Sequence, residues 1–116
     1  MKRGALLALL LLSFLPQGAL GEPAALNETQ QLGQQLFTQS CSVCHLKPQI
    51  TSQTFGPPLS KESANGNDEV MRGIIMNGTP RMPGFKLYFQ PNQIDAIIAY
   101  LRTVPAPPPA PPAPAR

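Results

Sequence analysis

The stretch that decides the fold is Cys41-Ser42-Val43-Cys44-His45. It holds both cysteines and the single histidine of the 116-residue chain. Cysteines three positions apart lie on nearly the same face of a helical turn, and the histidine extends from the same turn. The side chains best suited to hold a metal or a cofactor are therefore concentrated in one short segment.

Four kinds of chemistry compete for this cluster. A disulfide between Cys41 and Cys44 would close a very short loop and would contribute little stability. A redox-active pair of the thioredoxin type needs alternating strands and helices, which the sequence pattern lacks. Structural zinc needs four ligands, more than this cluster offers. The pattern C-x-x-C-H is instead typical of covalent haem attachment, in which both sulfurs add to vinyl groups of one haem and the histidine ligates its iron.

A six-coordinate haem iron needs a second ligand on the opposite face, and the chain has no second histidine. Met71 and Met76 fall in a segment with an apolar stripe, which is typical of a helix packed on a core. Met82 instead falls in residues 77–85, Asn-Gly-Thr-Pro-Arg-Met-Pro-Gly-Phe, where glycine and proline interrupt regular structure. Because a rigid loop holds a thioether in a fixed place, we expect Met82 to be the second ligand.

At this point residues 27–104 resemble the class I c-type cytochromes, in the small bacterial periplasmic form with one haem. Gly33 and Phe37 precede the cysteines at the spacing of the family's first helix. Residues 97–101, Ile-Ile-Ala-Tyr-Leu, look like the last helix that crosses it. The resemblance implies an all-α, cytochrome c-like fold: three to four helices wrapped around one covalently bound haem c, with crossing N- and C-terminal helices.

The same resemblance implies roles for particular residues. Residues 56–59, Gly-Pro-Pro-Leu, and the methionine loop at residues 77–82 follow His45 at the family's intervals. In relatives the carbonyl of the first of these prolines accepts a hydrogen bond from the ligand histidine; here the doubled proline could shift that acceptor by one residue. The implied set is Cys41 and Cys44 as haem thioethers, His45 and Met82 as axial iron ligands, and Pro57 and Leu59 as haem pocket.

The function implied by the resemblance is electron transfer without enzymatic catalysis. The implied partners are periplasmic redox proteins, with a quinoprotein dehydrogenase as donor and a terminal oxidase or other respiratory protein as acceptor. We expect a monomer in isolation. The alternative is an enzyme or gas sensor with an open iron position, which would need polar groups on the distal side.

The two ends of the chain differ in composition from its middle. Residues 1–21 have a basic start, a Leu/Ala-rich run and small residues before Gly21, as in a cleaved signal peptide, which predicts a periplasmic location without stable membrane insertion. Residues 105–116 are Pro/Ala-rich, which predicts an extended tail. The formal charge of +3 falls to +1 once Lys2 and Arg3 are removed with the signal, so nothing favours a nucleic-acid partner.

Local signals predict three helices in residues 22–104. The first begins near Asn27, capped with Gln30, and runs to about Ser40. The second follows Asn67 and stops at Gly78. The last begins near Pro91 and extends to Val104-Pro105. No alternating run predicts a strand.

Overall fold

The computed structural model describes residues 24–46 and 55–108. Within these residues the chain forms four α-helices and no named strand: α1 (Glu28–Ser40), α2 (Ser42–His45), α3 (Asp68–Asn77) and α4 (Pro91–Leu101). A short 3₁₀ turn (Ser63–Gly66) precedes α3. The predicted all-α fold is confirmed.

The start of α1 follows the predicted cap. The Asn27 side chain accepts a hydrogen bond from the Gln30 backbone N–H at 2.9 Å, and the Gln30 side chain accepts one from the Asn27 N–H at 3.0 Å. At the other end the Cys41 N–H still donates to the Phe37 carbonyl at 2.8 Å, and α2 follows at once. The first helix therefore carries the cysteine cluster directly on its C-terminal end.

Helices α1 and α4 cross at Gly33, as the resemblance implies. A Cβ atom at this position would collide with the Ala96 carbonyl oxygen and would lie 2.9 Å from the Tyr100 Cβ. One turn further along α1, the Phe37 ring packs against the Tyr100 ring with centroids 5.6 Å apart. Glycine is required here because the two backbones approach too closely for any side chain.

The other two predicted helix starts are also confirmed, but α4 ends earlier than predicted. The Asn67 side chain caps α3 by accepting from the Val70 N–H at 3.1 Å, and Pro91 lies in the first turn of α4. After Leu101, the N–H groups of Thr103 and Val104 donate three residues back, to Tyr100 and Leu101. The chain tightens into a turn there because these bonds replace the helical spacing of four.

The core lies between α1, α3 and α4. Its buried members are Phe37, Cys41, Met71, Ile75, Ile94, Ile97, Ile98 and Leu101, with Phe85 and Phe89 packed at the edge. Four of these residues, Ile94, Ile97, Ile98 and Leu101, come from α4. The core places the cysteine cluster, the middle of α3 and one face of α4 around a common space.

The predicted signal peptide, residues 47–54 and residues 109–116 of the predicted tail lie outside the described residues. Residues 105–108 have no regular secondary structure. Among the helices of the described ranges, none is long and apolar enough to cross a membrane.

Candidate functional site

A cavity of about 580 Å³ lies beside the core. Its walls are mainly apolar and come from α1, α2, α3, α4 and the intervening loops. All of the site residues predicted from the sequence line it: Cys41, Cys44, His45, Pro57, Leu59 and Met82. The volume falls within the roughly 300–1,000 Å³ that is usual for small-molecule and cofactor sites.

The His45 ring is held in one orientation. Its side chain is buried, and Nδ1–H donates a hydrogen bond to the Pro57 carbonyl oxygen at 2.7 Å. A carbonyl only accepts, so Nδ1 carries the proton and Nε2 is the nitrogen with a free lone pair. The doubled proline has not shifted the acceptor to Pro58. This kind of bond fixes the tautomer of a metal-binding histidine and raises its basicity.

Gly56 allows the loop to pack against that ring. Its N–H donates to the Cys44 carbonyl at 2.7 Å. A Cβ atom here would lie 2.9 Å from both Nδ1 and Cε1 of His45. The segment therefore approaches the histidine with its backbone, which is how the Pro57 carbonyl reaches the ring.

The two cysteines form no disulfide with each other and line the cavity together. Burial raises the pKa of the Cys41 thiol to about 11, and the neighbouring Cys44 adds to the rise. Redox-active cysteines have a depressed pKa, because the thiolate is the reactive form. The environment of Cys41 therefore disfavours the thioredoxin-type alternative.

Met82 is presented by a short, tied loop. The Thr79 N–H donates to the Met82 carbonyl at 2.8 Å, and the Met82 N–H donates back to the Thr79 carbonyl at 3.1 Å. Further on, the Phe85 N–H donates to the Ile75 carbonyl at 2.9 Å, which returns the chain to α3. The half-buried Met82 side chain lines the cavity from this loop.

A second methionine also lines the cavity. Met71, on α3, is 4% exposed and belongs to the core, whereas Met76 packs against the core and is not part of the cavity wall. The sequence argument placed Met71 in the core and did not predict that it reaches the cavity. The choice of Met82 as ligand stays a prediction that has to be tested against Met71.

Several wall residues were missed by sequence reasoning. Ser63 and Ala64 line the cavity from the 3₁₀ turn, and Ala64 has a left-handed backbone with φ 56°. Asn65-Gly66 is a recognisable turn signal, but an alanine gives no hint of that conformation. Phe55 and Arg81 also belong to the wall. Only the folded chain brings these two segments together.

A family model described as "Cytochrome C oxidase, cbb3-type, subunit III" matches residues 28–101. The chain belongs to this family of c-type cytochrome domains. The resemblance to small class I c-type cytochromes is thereby confirmed, and with it the presence of covalently bound haem c. Comparisons with curated proteins and with solved structures found no match.

The cavity of this cytochrome domain fits haem. Two thiols lie at its wall beside a histidine whose Nε2 is free, and the remaining wall is largely apolar. A thioether from Met82 or Met71 is available as well. In the described ranges no three His, Cys, Asp or Glu side chains gather to hold a metal ion directly. The donor set is the one that c-type haem requires.

Proposed function

We propose that this cytochrome domain is a one-electron carrier, with His45 and Met82 as axial iron ligands and Cys41 and Cys44 as haem thioethers. The observation that carries the proposal is that these four side chains line one cavity. When bound, haem supplies a ferric–ferrous couple that stores one electron. Two ligands from the protein leave no iron position for a substrate, which favours electron transfer over catalysis.

The residues around the site have separate tasks. The Pro57 carbonyl holds the His45 ring and makes Nε2 a better donor. The apolar side chains of Leu59, Ile75 and Leu101 exclude water and so disfavour the additional charge of the ferric form. A methionine thioether opposite a histidine acts in the same direction, because this ligand pair raises the reduction potential.

The wider setting belongs to the proposal as well. The signal-like residues 1–21 and the haem attachment pattern both support export to the periplasm. We propose periplasmic redox proteins as partners, with a quinoprotein dehydrogenase as donor and a terminal oxidase or other respiratory protein as acceptor. The predicted tail, residues 105–116, would extend from the end of the domain.

The test is an absorption spectrum of protein produced in a periplasm with haem-attachment machinery. We expect haem that resists acid-acetone extraction, a reversible change between oxidised and reduced spectra, and slow or no binding of carbon monoxide. A double Cys41→Ser, Cys44→Ser variant should release its haem during the acid-acetone extraction. Rapid carbon monoxide binding by the unmodified protein would contradict the proposed role as an electron carrier. It would favour an open-site enzyme or gas sensor.

A further inference from the structure

A cation–π contact lies at the mouth of the cavity. The guanidinium carbon of Arg81 is 5.2 Å from the centroid of the Phe55 ring. Both residues line the cavity, and both are exposed to solvent, so their contact lies where the cavity opens. Neither residue is among the predicted haem-binding set.

The contact joins the segments that carry the two proposed iron ligands. Phe55 directly precedes Gly56, which is bonded to Cys44 and packed on the His45 ring. Arg81 directly precedes Met82, in the loop closed by the Thr79–Met82 hydrogen bonds. The Arg81–Phe55 pair is therefore a direct side-chain link between the histidine side and the methionine side.

Arg81 differs in its partner from two other arginines of the described residues. Elsewhere in the described part of the chain, Arg72 pairs with Glu69 and Asp95, and Arg102 pairs with Asp68. Within the same residues no carboxylate lies within ion-pair distance of Arg81. The Arg81 guanidinium instead lies over the Phe55 ring, within the usual limit of about 6 Å for a cation–π contact.

We propose that Arg81 and Phe55 form a clasp that positions the methionine loop over the haem site and slows its opening. The inference rests on the proposed function, because it assumes that Met82 ligates iron. An external ligand such as imidazole reaches the iron only after Met82 and its loop move away. A clasp across the mouth stabilises the closed loop, so its loss should increase the rate of ligand entry.

The expected size of this effect follows from the type of contact. A cation–π pair at an exposed site adds a small stabilising free energy. This energy corresponds to about a two- to fivefold change in an equilibrium or a rate. Arg81→Gln and Phe55→Leu should each speed imidazole binding to the ferric haem protein by roughly this factor. Because the two side chains act as one contact, the double variant should be no faster than the quicker single variant.

Matched variants separate the clasp from a simple charge effect. Lys86→Gln removes an exposed positive charge four residues beyond Met82 in sequence and should leave the rate unchanged. Phe55→Tyr keeps an aromatic face and should behave like the unmodified protein. A Phe55→Leu rate equal to that of the unmodified protein, or fully additive effects in the double variant, would overturn the clasp.

Amide hydrogen exchange gives a readout that does not depend on iron ligation. The Thr79 and Met82 N–H groups close the loop, so both should exchange about two- to fivefold faster in Arg81→Gln and Phe55→Leu. The N–H groups of α1 should not change, which would separate loop opening from general destabilisation. If the unmodified protein lacks an iron–thioether band, the proposed function fails, and unchanged exchange at Thr79 and Met82 would still overturn the clasp by itself.

Discussion

At the residue scale, the site depends on how closely backbone approaches the His45 ring. The loop reaches the ring through Gly56 and Pro57, one by close packing and the other by a hydrogen bond of 2.7 Å. A side chain at position 56 would have to displace either the ring or the loop. The orientation of the histidine is therefore set by its neighbours along residues 56–57 as well as by its own helix.

Gly56→Ala should disturb this arrangement. The new Cβ would lie 2.9 Å from Nδ1 and Cε1 of His45, so the ring or the loop must shift. Overpacking of this kind costs about 1–3 kcal/mol, and the Pro57 hydrogen bond should weaken with it. We expect a lower urea midpoint and a higher reduction potential for the haem protein, because a histidine with a weaker hydrogen bond donates less well to ferric iron. An unchanged potential would show that the contact does not orient the histidine.

Two glycines within helices predict opposite results for the same substitution. Gly33 meets the Ala96 carbonyl across the helix crossing, whereas a Cβ at Gly73 would meet nothing within 4 Å. Gly73→Ala should therefore stabilise the protein by roughly 0.5–1 kcal/mol through helix propensity. Gly33→Ala should destabilise it by about 1–3 kcal/mol despite the same propensity gain. Urea unfolding of both variants measures the two changes in unfolding free energy. Changes of the same sign would contradict the close approach of α1 and α4 at Gly33.

At the scale of elements, Arg102 connects the end of α4 to the cavity wall. Its guanidinium donates to the carbonyl oxygens of Lys61 and Ser63 at 2.6 and 3.0 Å, and to Asp68 at 2.7 Å. Ser63 and the following Ala64 line the cavity. The arginine thus holds a left-handed, intrinsically unfavourable turn in the place where the wall needs it.

Replacing Arg102 should lower the unfolding free energy more than removing its exposed ion pair with Asp68. Arg102→Leu breaks bonds from a charged donor to two carbonyls, and we expect a loss of about 2–3 kcal/mol in unfolding free energy. Asp68→Asn removes only a half-exposed ion pair and should cost less than about 1 kcal/mol. Denaturant unfolding of the two variants checks the order. A larger loss of unfolding free energy for Asp68→Asn than for Arg102→Leu would contradict this role of Arg102.

The elements differ in how far the sequence predicts them. The starts of α1, α3 and α4 follow from Asn27, Asn67 and Pro91, because caps act within one turn of chain. The early end of α4 was missed, since the turn after Leu101 carries no glycine or other local stop signal. The left-handed Ala64 was missed because tertiary bonds hold it there.

The candidate site divides in the same way. The six predicted site residues all line the cavity. They could be predicted because they lie in short motifs at the family's spacing. Contacts between distant segments had no sequence signal. The Arg81–Phe55 pair and the reach of Met71 into the cavity depend on how the helices pack, which motifs do not describe.

At the scale of the whole molecule, the core is incomplete without haem. A cavity of about 580 Å³ lies beside the core that α1, α3 and α4 form. Side chains around such a space lose the packing contacts that stabilise a small domain. We therefore expect the haem-free chain to be largely unstructured in far-ultraviolet circular dichroism. A cooperative thermal melt of haem-free protein would contradict this dependence.

We propose that His45 and Met82 ligate the iron of an electron carrier. It is tested most directly by the weak red absorption band of an iron–thioether bond in the oxidised protein, compared between Met82→Leu and Met71→Leu. We predict that Met82→Leu abolishes the band and opens the iron to carbon monoxide, while Met71→Leu keeps the band. Retention of the band in Met82→Leu, or its loss in Met71→Leu alone, would contradict the assignment of Met82 as the second ligand.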